Sequence, residues 1–203
     1  MKKKQTLILV IMLLSFSFSG QAQTMFGNTA LTLSKNVLSL GVNPVYAADL
    51  NNADLTYVPE PDDLAYFFHL GYGINYSNDI GINIGKAWGE MYYGIDFENV
   101  FINAGKFYVS GTLGGHYWHR AGADVDLIAS LKLNDFYLTS GIDIDIEPYT
   151  RDDGTTDFYL PAYVPVELEF NPSSKYAVNF ELNIAVNEPA FTTIGAGINF
   201  YFK

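Results

Sequence analysis

The sequence predicts an all-β fold, namely an antiparallel up-and-down transmembrane β-barrel of about ten strands that follows an export signal. Three observations support this prediction. The chain begins with a short basic and apolar segment. Most of the rest alternates between large apolar and small or polar residues with a period of two, and no later apolar run is long enough for a transmembrane helix. A chain that crosses a membrane without such helices has to do so as a closed barrel.

The N-terminal segment has the parts of a secretory signal. Lys2–Lys4 are followed by an apolar run at residues 7–14 and by a small residue, Ala22, at the expected cleavage point. We therefore expect residues 1–22 to be a signal peptide and residues 23–203 to form a single outer-membrane β-barrel domain in the exported protein.

The composition limits the classes of function. Without the three lysines of the signal, eight basic residues oppose 22 acidic residues, which gives a net charge of −14. This balance argues against binding to nucleic acid, which requires a basic face. Cysteine is absent from the sequence, so neither a lipid-attachment cysteine nor a disulfide framework is expected. Burial and strand pairing must hold the fold together.

Ten segments of alternating residues, bounded by turn residues, are predicted to be strands. Most are 10 to 14 residues long, which exceeds the usual strand of a soluble domain and is sufficient for a tilted strand to cross a bilayer. The predicted strands are 36–46, 64–76, 80–88, 90–102, 106–119, 123–133, 136–147, 157–170, 175–186 and 191–202. Eight strands is the main alternative, since the weakly alternating stretch from Trp88 to Phe101 can be divided too finely.

The two faces of these strands indicate which face meets lipid. In the segment 64–76, every second residue is large and apolar, and mostly small or neutral residues lie between them. The apolar set is Tyr66, Phe68, Leu70, Tyr72, Ile74 and Tyr76. We expect the apolar face to contact lipid and the other face to line the lumen. Large lumen side chains would fill much of the interior, so a wide diffusion pore is not expected. These are Trp118, Tyr137, Tyr159 and Tyr163.

The connections between the predicted strands also alternate. Short turns occur at every second junction, and longer links, Ala47–Asp63 and Pro148–Thr156, fall at other junctions. The short turns are at 77–79, 103–105, 134–135 and 171–174. Short turns on one rim, longer loops on the other and an even number of strands are typical of an outer-membrane barrel.

The signal, the alternating strands and the ending Gly195-Ala-Gly-Ile-Asn-Phe-Tyr-Phe-Lys203 resemble the small outer-membrane β-barrel proteins of Gram-negative bacteria. The sequence Ser-Gly-Gln-Ala-Gln at 19–23 and the aromatic-then-lysine ending are similar to the Bacteroidetes versions of this family. The resemblance covers the whole mature chain and carries no active site. It implies location in the outer membrane, contact with outer-membrane lipid, and recognition of the last strand, ending at Phe202, by the barrel assembly machinery. The chain departs from the family pattern at Lys203, which follows the terminal aromatic residue.

Acidic residues are the main candidates for chemistry in the lumen. Nine of them are predicted to face inward, with Lys132 as the clear cation among them. They are Asp96, Asp124, Asp126, Asp143, Asp145, Glu147, Glu167, Glu169 and Glu181. Buried carboxylates must be hydrated, protonated or matched by cations. We expect many of them to lie at the aqueous rims, where water or the side chains of Arg120, Arg151 and Lys86 can interact with them.

A specific cation site is the alternative to this interpretation. Asp143, Asp145 and Glu147 are stacked at positions i, i+2 and i+4 of one strand, beside Glu167 and Glu169 on the next. Under this hypothesis the five carboxylates bind a divalent cation or set a cation preference.

The histidines do not form an evident metal pair. His116 and His119 are three residues apart, which places them on opposite faces of a strand, with His116 in the lumen and His119 at the interface. His69 falls on the lumen face as a hydrogen-bonded interior residue. The sequence contains no nucleophile elbow, phosphate-binding glycine loop or zinc helix motif, so neither a catalytic residue nor a cofactor is predicted.

Three functions are compatible with these features. The first is a structural or surface-interaction barrel without enzymatic activity, in which the acidic, proline-bearing loop Ala47–Asp63 contacts a surface partner. The second is a narrow cation-leaning channel or small-ligand conduit. The third is a secreted soluble barrel that binds an apolar ligand, as lipocalins do, and it is disfavoured because the non-apolar face has many glycines and few lysines.

Overall fold

The computed structural model describes residues 30–48, 64–118, 120–151, 154–188 and 190–203. Eleven strands form in these ranges: β1 Leu38–Ala47, β2 Leu64–Gly73, β3 Asn78–Ala87, β4 Glu90–Ala104, β5 Phe107–Trp118, β6 Arg120–Leu133, β7 Phe136–Thr150, β8 Thr156–Tyr159, β9 Ala162–Ser173, β10 Tyr176–Ala185 and β11 Thr193–Phe202. Within the described ranges, no helix is long and apolar enough to cross a membrane.

The strands form a closed antiparallel barrel. Each barrel strand pairs with its neighbours in the chain, and β1 pairs with β11, with Leu38 opposite Phe202, so the sheet closes on itself. The short strand β8 pairs only with the C-terminal end of β7, at Glu147–Thr150, whereas β9 pairs with the earlier part of β7. The strands β8 and β9 therefore share one position in the sheet, and the closed wall has ten strands. The prediction of ten strands is confirmed, and the eight-strand alternative is wrong because β4 is one continuous strand that pairs with both β3 and β5.

One predicted strand is interrupted in the structure. The segment 157–170 divides into β8 and β9 around Leu160 and Pro161. Pro161 has no N–H to donate to the ladder, although its carbonyl accepts a hydrogen bond from Asp145 N at 3.0 Å. Because of the interruption, β7 pairs with β9 over Phe136–Ile144 and with β8 over Glu147–Thr150.

The two faces of the wall are as predicted. Large apolar side chains cover the outside, where Phe68 is 60% exposed, while its chain neighbour Phe67 points inward and is 0% exposed. In β2 the side chains alternate between exposed and mostly buried along the whole strand, as the period of two requires. The Gly, Asn, Asp and Glu positions between the apolar residues line the lumen.

The two rims of the barrel carry connections of different length. We call the end at which Leu38 and Phe202 pair the N-terminal rim, and the other end the opposite rim. At the opposite rim, Trp88 and Gly89 alone join β3 to β4, as the predicted strands 80–88 and 90–102 require, and one residue joins β5 to β6. Trp88 and Gly89 have φ values of 45° and 104°, as in the two-residue turns that match the twist of antiparallel strands. Most of the loop Ala47–Asp63 lies outside the described residues.

A segment before β1 crosses the N-terminal rim from one wall to the other. This segment, residues 30–35, is called the inner segment below. The backbone N–H of Leu33 donates to Asp79 Oδ2 on β3 at 2.7 Å, and that of Ala30 donates to Ser130 Oγ on β6 at 2.7 Å. Ala30 is fully buried against Tyr108, Ile128 and Tyr137. The inner segment therefore lies inside the mouth of the barrel.

Candidate functional site

Four pairs of carboxylates lie directly opposite each other between adjacent strands, and all eight belong to the inward-facing register. The pairs are Asp79 and Glu98, Asp124 and Asp145, Asp126 and Asp143, and Glu167 and Glu181. Like charges directly opposite each other destabilise a sheet. The lumen thus holds more negative charge than strand pairing alone would favour.

The nine predicted acidic side chains all lie on the inner wall, and two more join them. Asp79 and Glu98 were missed by the sequence analysis. Asp79 follows Ser77 and Asn78 and looks like part of a turn, and Glu98 precedes a register shift between Val100 and Ile102 that obscures the alternation.

The five residues of the hypothetical cation cluster fall into two groups. Asp143, Asp145 and Glu147 follow one another on the inner face of β7, where the first two lie opposite Asp126 and Asp124. Glu167 and Glu169 lie opposite Thr139 and Tyr137, nearer the N-terminal rim. Each group is almost fully buried. The hypothesis that these residues bind a cation stays a prediction, with the two groups as separate candidates.

His116 connects the acidic group on β6 and β7 to the aromatic side chains above it. The structure confirms that His116 faces the lumen, and His119 lies outside the described residues. His116 Nδ1 is 2.5 Å from Asp124 Oδ1, and the imidazole stacks on the ring of Tyr92 with 5.9 Å between centroids. His116, Asp124 and Asp145 each offer one ligand atom, and these three atoms lie within 4.8 Å of one another.

Several buried polar atoms in this region have no hydrogen-bond partner among the described residues. Both carboxylate oxygens of Asp145 and Nε2 of His116 are among them. Asp145 is 0% exposed. An unpartnered buried polar atom is costly, so each of these atoms requires a physical explanation.

Three basic side chains, Lys132, Arg151 and Lys86, lie away from the centre of the acidic lumen. Lys132 lies near the N-terminal rim, with Nζ 5.3 Å from the centroid of the Tyr137 ring. Arg151, an exposed residue, pairs with Asp157 beyond the opposite rim. Lys86 belongs to the outward register of β3 and is exposed, and its expected interaction with rim carboxylates stays a prediction.

A cavity of about 70 Å³ lies in the N-terminal half of the lumen. Its acidic lining comes from Asp79, Asp96, Glu98 and Glu169, and Leu31 and Leu33 of the inner segment close it at the mouth. His69, which also lines it, bonds through Nδ1 to Asn83 Oδ1 at 2.8 Å, as expected for an interior histidine. The cavity is polar and large enough to hold water or a small cation.

Apolar side chains fill the lumen at the opposite rim. This group is called the aromatic lid, and each member is at most 5% exposed: Val45, Ala47, Ala65, Phe67, Ala87, Trp88, Tyr92, Trp118 and Phe191. The Trp88 ring meets those of Trp118 and Phe191 edge to face, with centroids 5.3 Å and 4.9 Å apart. Trp118 Nε1 donates to the carbonyl of Ala87 at 2.8 Å. The predicted lumen residues Trp118, Tyr137 and Tyr163 are buried, and Tyr159 is half-buried.

Comparisons with known proteins found solved structures that are similar to this chain but no relatives by sequence. No protein-family model matches the chain, and no curated protein matches it. An outer-membrane channel from Pseudomonas putida F1 is 9% identical, with 88% of this chain and 100% of that chain covered and a TM-score of 0.56.

Two further solved structures are similar over much of the chain. The KdgM porin is 9% identical, with 81% of this chain and 99% of that chain covered and a TM-score of 0.47. The N-terminal β-barrel domain of Pseudomonas aeruginosa OprF is 11% identical, with 84% and 100% covered and a TM-score of 0.39. The closed ten-strand sheet and the likeness to the Pseudomonas putida channel show that the chain has the fold of an outer-membrane β-barrel.

Proposed function

We propose that this protein is an integral outer-membrane β-barrel with a closed lumen, a structural or surface-interaction role and no enzymatic activity. The observation that carries the proposal is the closure of the lumen at both ends. The inner segment crosses the N-terminal rim, and the aromatic lid fills the opposite rim. Such a barrel presents its rims and outer surface to partners, and its packed interior blocks the passage of solutes.

The outer surface supports location in a membrane. Large apolar side chains point outward from every barrel strand, and a contiguous apolar surface of this size is stable only against lipid. The proposal includes export through the signal at residues 1–22 and recognition of the strand ending at Phe202 by the barrel assembly machinery. The acidic loop Ala47–Asp63 is the proposed contact for a surface partner.

Fractionation and gel mobility test the membrane part of the proposal. We expect the full-length protein in the outer-membrane fraction, with a mobility on a denaturing gel that changes on boiling, because a closed barrel resists detergent until heated. Recovery in a soluble fraction would contradict it, since the apolar outer face would then need another partner.

Planar-bilayer recording tests the closed lumen. The purified wild-type barrel is expected to give no steady ion current. As a positive control, Trp88→Gly removes the ring that contacts both Trp118 and Phe191, and is expected to produce measurable openings. A steady current through the wild type would show that the lid and the inner segment leave a path.

A narrow cation-leaning conduit is the second candidate function. The four opposed carboxylate pairs and the acidic cavity favour it, because fixed negative charge in a confined space attracts cations. If the wild type conducts, this candidate requires the pore to prefer K⁺ over Cl⁻. The preference should fall in Asp126→Asn, and it should be unchanged in Asp135→Asn, which alters a carboxylate at an exposed turn.

A further inference from the structure

We propose that His116, Asp124 and Asp145 form a binding site for a divalent transition-metal ion, with Zn²⁺ as the ion that the ligand set favours. The site lies in the lumen directly below the aromatic lid. It goes beyond the structural role proposed above and does not depend on whether the barrel conducts.

Strand register brings the three side chains together. Asp124 and Asp145 lie directly opposite each other on β6 and β7, and His116 on β5 lies opposite Gly122, two residues from Asp124. A spacing of two keeps residues on the same face of a strand, so all three side chains point into the lumen at adjacent inward positions. Their ligand atoms lie within 4.8 Å of one another. Zinc binds nitrogen and oxygen ligands at about 2.0–2.2 Å, so small side-chain rotations would close this spacing around one ion.

The unpartnered atoms of the site point to a ligand. Asp145 is 0% exposed, and neither of its oxygens accepts a hydrogen bond from an N–H or hydroxyl group of the described residues. His116 is 4% exposed, and its Nε2 also lacks a partner. Two buried carboxylates in direct opposition must be protonated or matched by positive charge, and one imidazole supplies at most a single charge. A divalent cation would neutralise Asp124 and Asp145 together.

The contact between His116 and Asp124 allows two modes of coordination. With a proton on Nδ1, the ring donates to Asp124 Oδ1 and offers Nε2 to the ion, and the carboxylate then orients the imidazole. With the proton displaced, Nδ1 and Asp124 both contact the ion. Asp145 supplies an oxygen ligand in each mode, so His116 and Asp145 are the two residues on which binding must depend.

The surroundings favour a transition metal over calcium or magnesium. An imidazole nitrogen is a typical ligand of zinc, whereas Ca²⁺ and Mg²⁺ prefer sites made only of oxygen ligands. The stacked Tyr92 ring fixes the plane of the imidazole from the side of the lid. Tyr92 is itself 1% exposed, so the site is shielded from bulk solvent.

Zinc content after refolding tests the proposal. Because the site lies beneath the lid, the full-length mature protein is refolded from urea into detergent micelles with Zn²⁺ present, and loosely bound zinc is then removed with a chelator. Elemental analysis is expected to find one zinc per folded chain in the wild type. His116→Gln and Asp145→Asn are expected to reduce the apparent affinity for zinc at least tenfold.

Two control variants match these substitutions in chemistry. Asp126→Asn removes a buried, opposed carboxylate two residues from Asp124, and His69→Gln removes a lumen histidine that bonds to Asn83. Both are expected to keep one zinc per chain. Boiling-dependent gel mobility establishes that every variant has formed the barrel.

Three results would overturn the proposal. They are folded wild type without stoichiometric zinc, zinc content that is equal in the wild type and in His116→Gln, and binding of Ca²⁺ that depends on Asp145 but not on His116. The last result would indicate an all-carboxylate site instead. If a variant does not fold, the wild type loaded with Co²⁺ decides the question, because its visible spectrum must show coordination by both nitrogen and oxygen.

Discussion

Asp126 and Asp143 lie directly opposite each other on β6 and β7, and the two side chains are only 3% and 4% exposed. This pair is one level deeper in the lumen than the proposed metal site. Neither oxygen of Asp126 accepts a hydrogen bond from an N–H or hydroxyl group of the described residues. Natural proteins commonly retain residues that lower the stability of the fold where those residues serve function.

Removing one charge of this pair is expected to stabilise the barrel. Asp126→Asn ends the direct repulsion and supplies an amide that can donate to Asp143, so the free energy of unfolding should rise by about 1 kcal/mol. Urea unfolding in detergent micelles measures it. Asp135→Asn, at an exposed turn, is the matched control and should change stability by less than about 0.5 kcal/mol. A lower free energy of unfolding in Asp126→Asn would contradict this prediction, and would show that favourable interactions in the native protein offset the charge of Asp126.

The two tryptophans of the aromatic lid are expected to differ in their tolerance of phenylalanine. Trp118 Nε1 donates to the buried carbonyl of Ala87, whereas Trp88 Nε1 has no hydrogen-bond partner among the described residues. Both substitutions remove the same volume, but only Trp118→Phe also removes a buried hydrogen bond. Trp118→Phe should therefore cost about 1–2 kcal/mol more than Trp88→Phe. Urea midpoints of the two variants test this order, and equal midpoints would contradict it.

The hydroxyl of Ser130 is expected to hold the inner segment in the mouth of the barrel. It accepts the hydrogen bond of Ala30 N and bonds to Thr139 Oγ1 at 2.6 Å, and Ser130 is fully buried. Ser130→Ala leaves the buried N–H of Ala30 without a partner, at a cost of about 1–3 kcal/mol to the docking of the segment.

Hydrogen exchange measures this effect peptide by peptide. Residues 30–35 should exchange faster in Ser130→Ala, with the barrel strands unchanged. Ser140→Ala, on the outward face of β7, should leave exchange in the segment as in the wild type. Unchanged protection in Ser130→Ala would mean that the packing of Ala30 alone holds the segment.

Sequence reasoning predicted the wall of the barrel well because a period of two is a local property. The alternation around Phe67 and Phe68 fixes which face meets lipid without knowledge of any other strand. Which residues meet across strands depends instead on register. That is why Glu167 and Glu169 were placed beside Asp143, although they lie opposite Thr139 and Tyr137.

The closures of the lumen could not be predicted for a related reason. The inner segment is held by backbone donors to distant side chains, as from Ala30 to Ser130, and such bonds leave no pattern in the sequence. Trp88 is an unusual residue for a tight turn with positive φ, and its role is evident only once its ring is seen against Phe191. Likewise, the contact of His116 with Asp124 follows from the pairing of β5 with β6.

Gly141 is expected to be required for the close approach of β6 and β7, whereas Gly115 is expected to be replaceable. A Cβ atom at Gly141 would lie 2.8 Å from Ile128 Cα and would also meet the carbonyl of Leu127, so the two strands would have to separate. At Gly115, the nearest atom would be the carbonyl oxygen of Gly122 at 3.7 Å, an ordinary contact. Gly141→Ala should lower the free energy of unfolding by about 2–3 kcal/mol, and Gly115→Ala by less than about 0.5 kcal/mol. Urea unfolding of the two refolded variants measures the difference. Equal stability would show that β6 and β7 can move apart without loss, which would also weaken the case for a fixed geometry at Asp124 and Asp145.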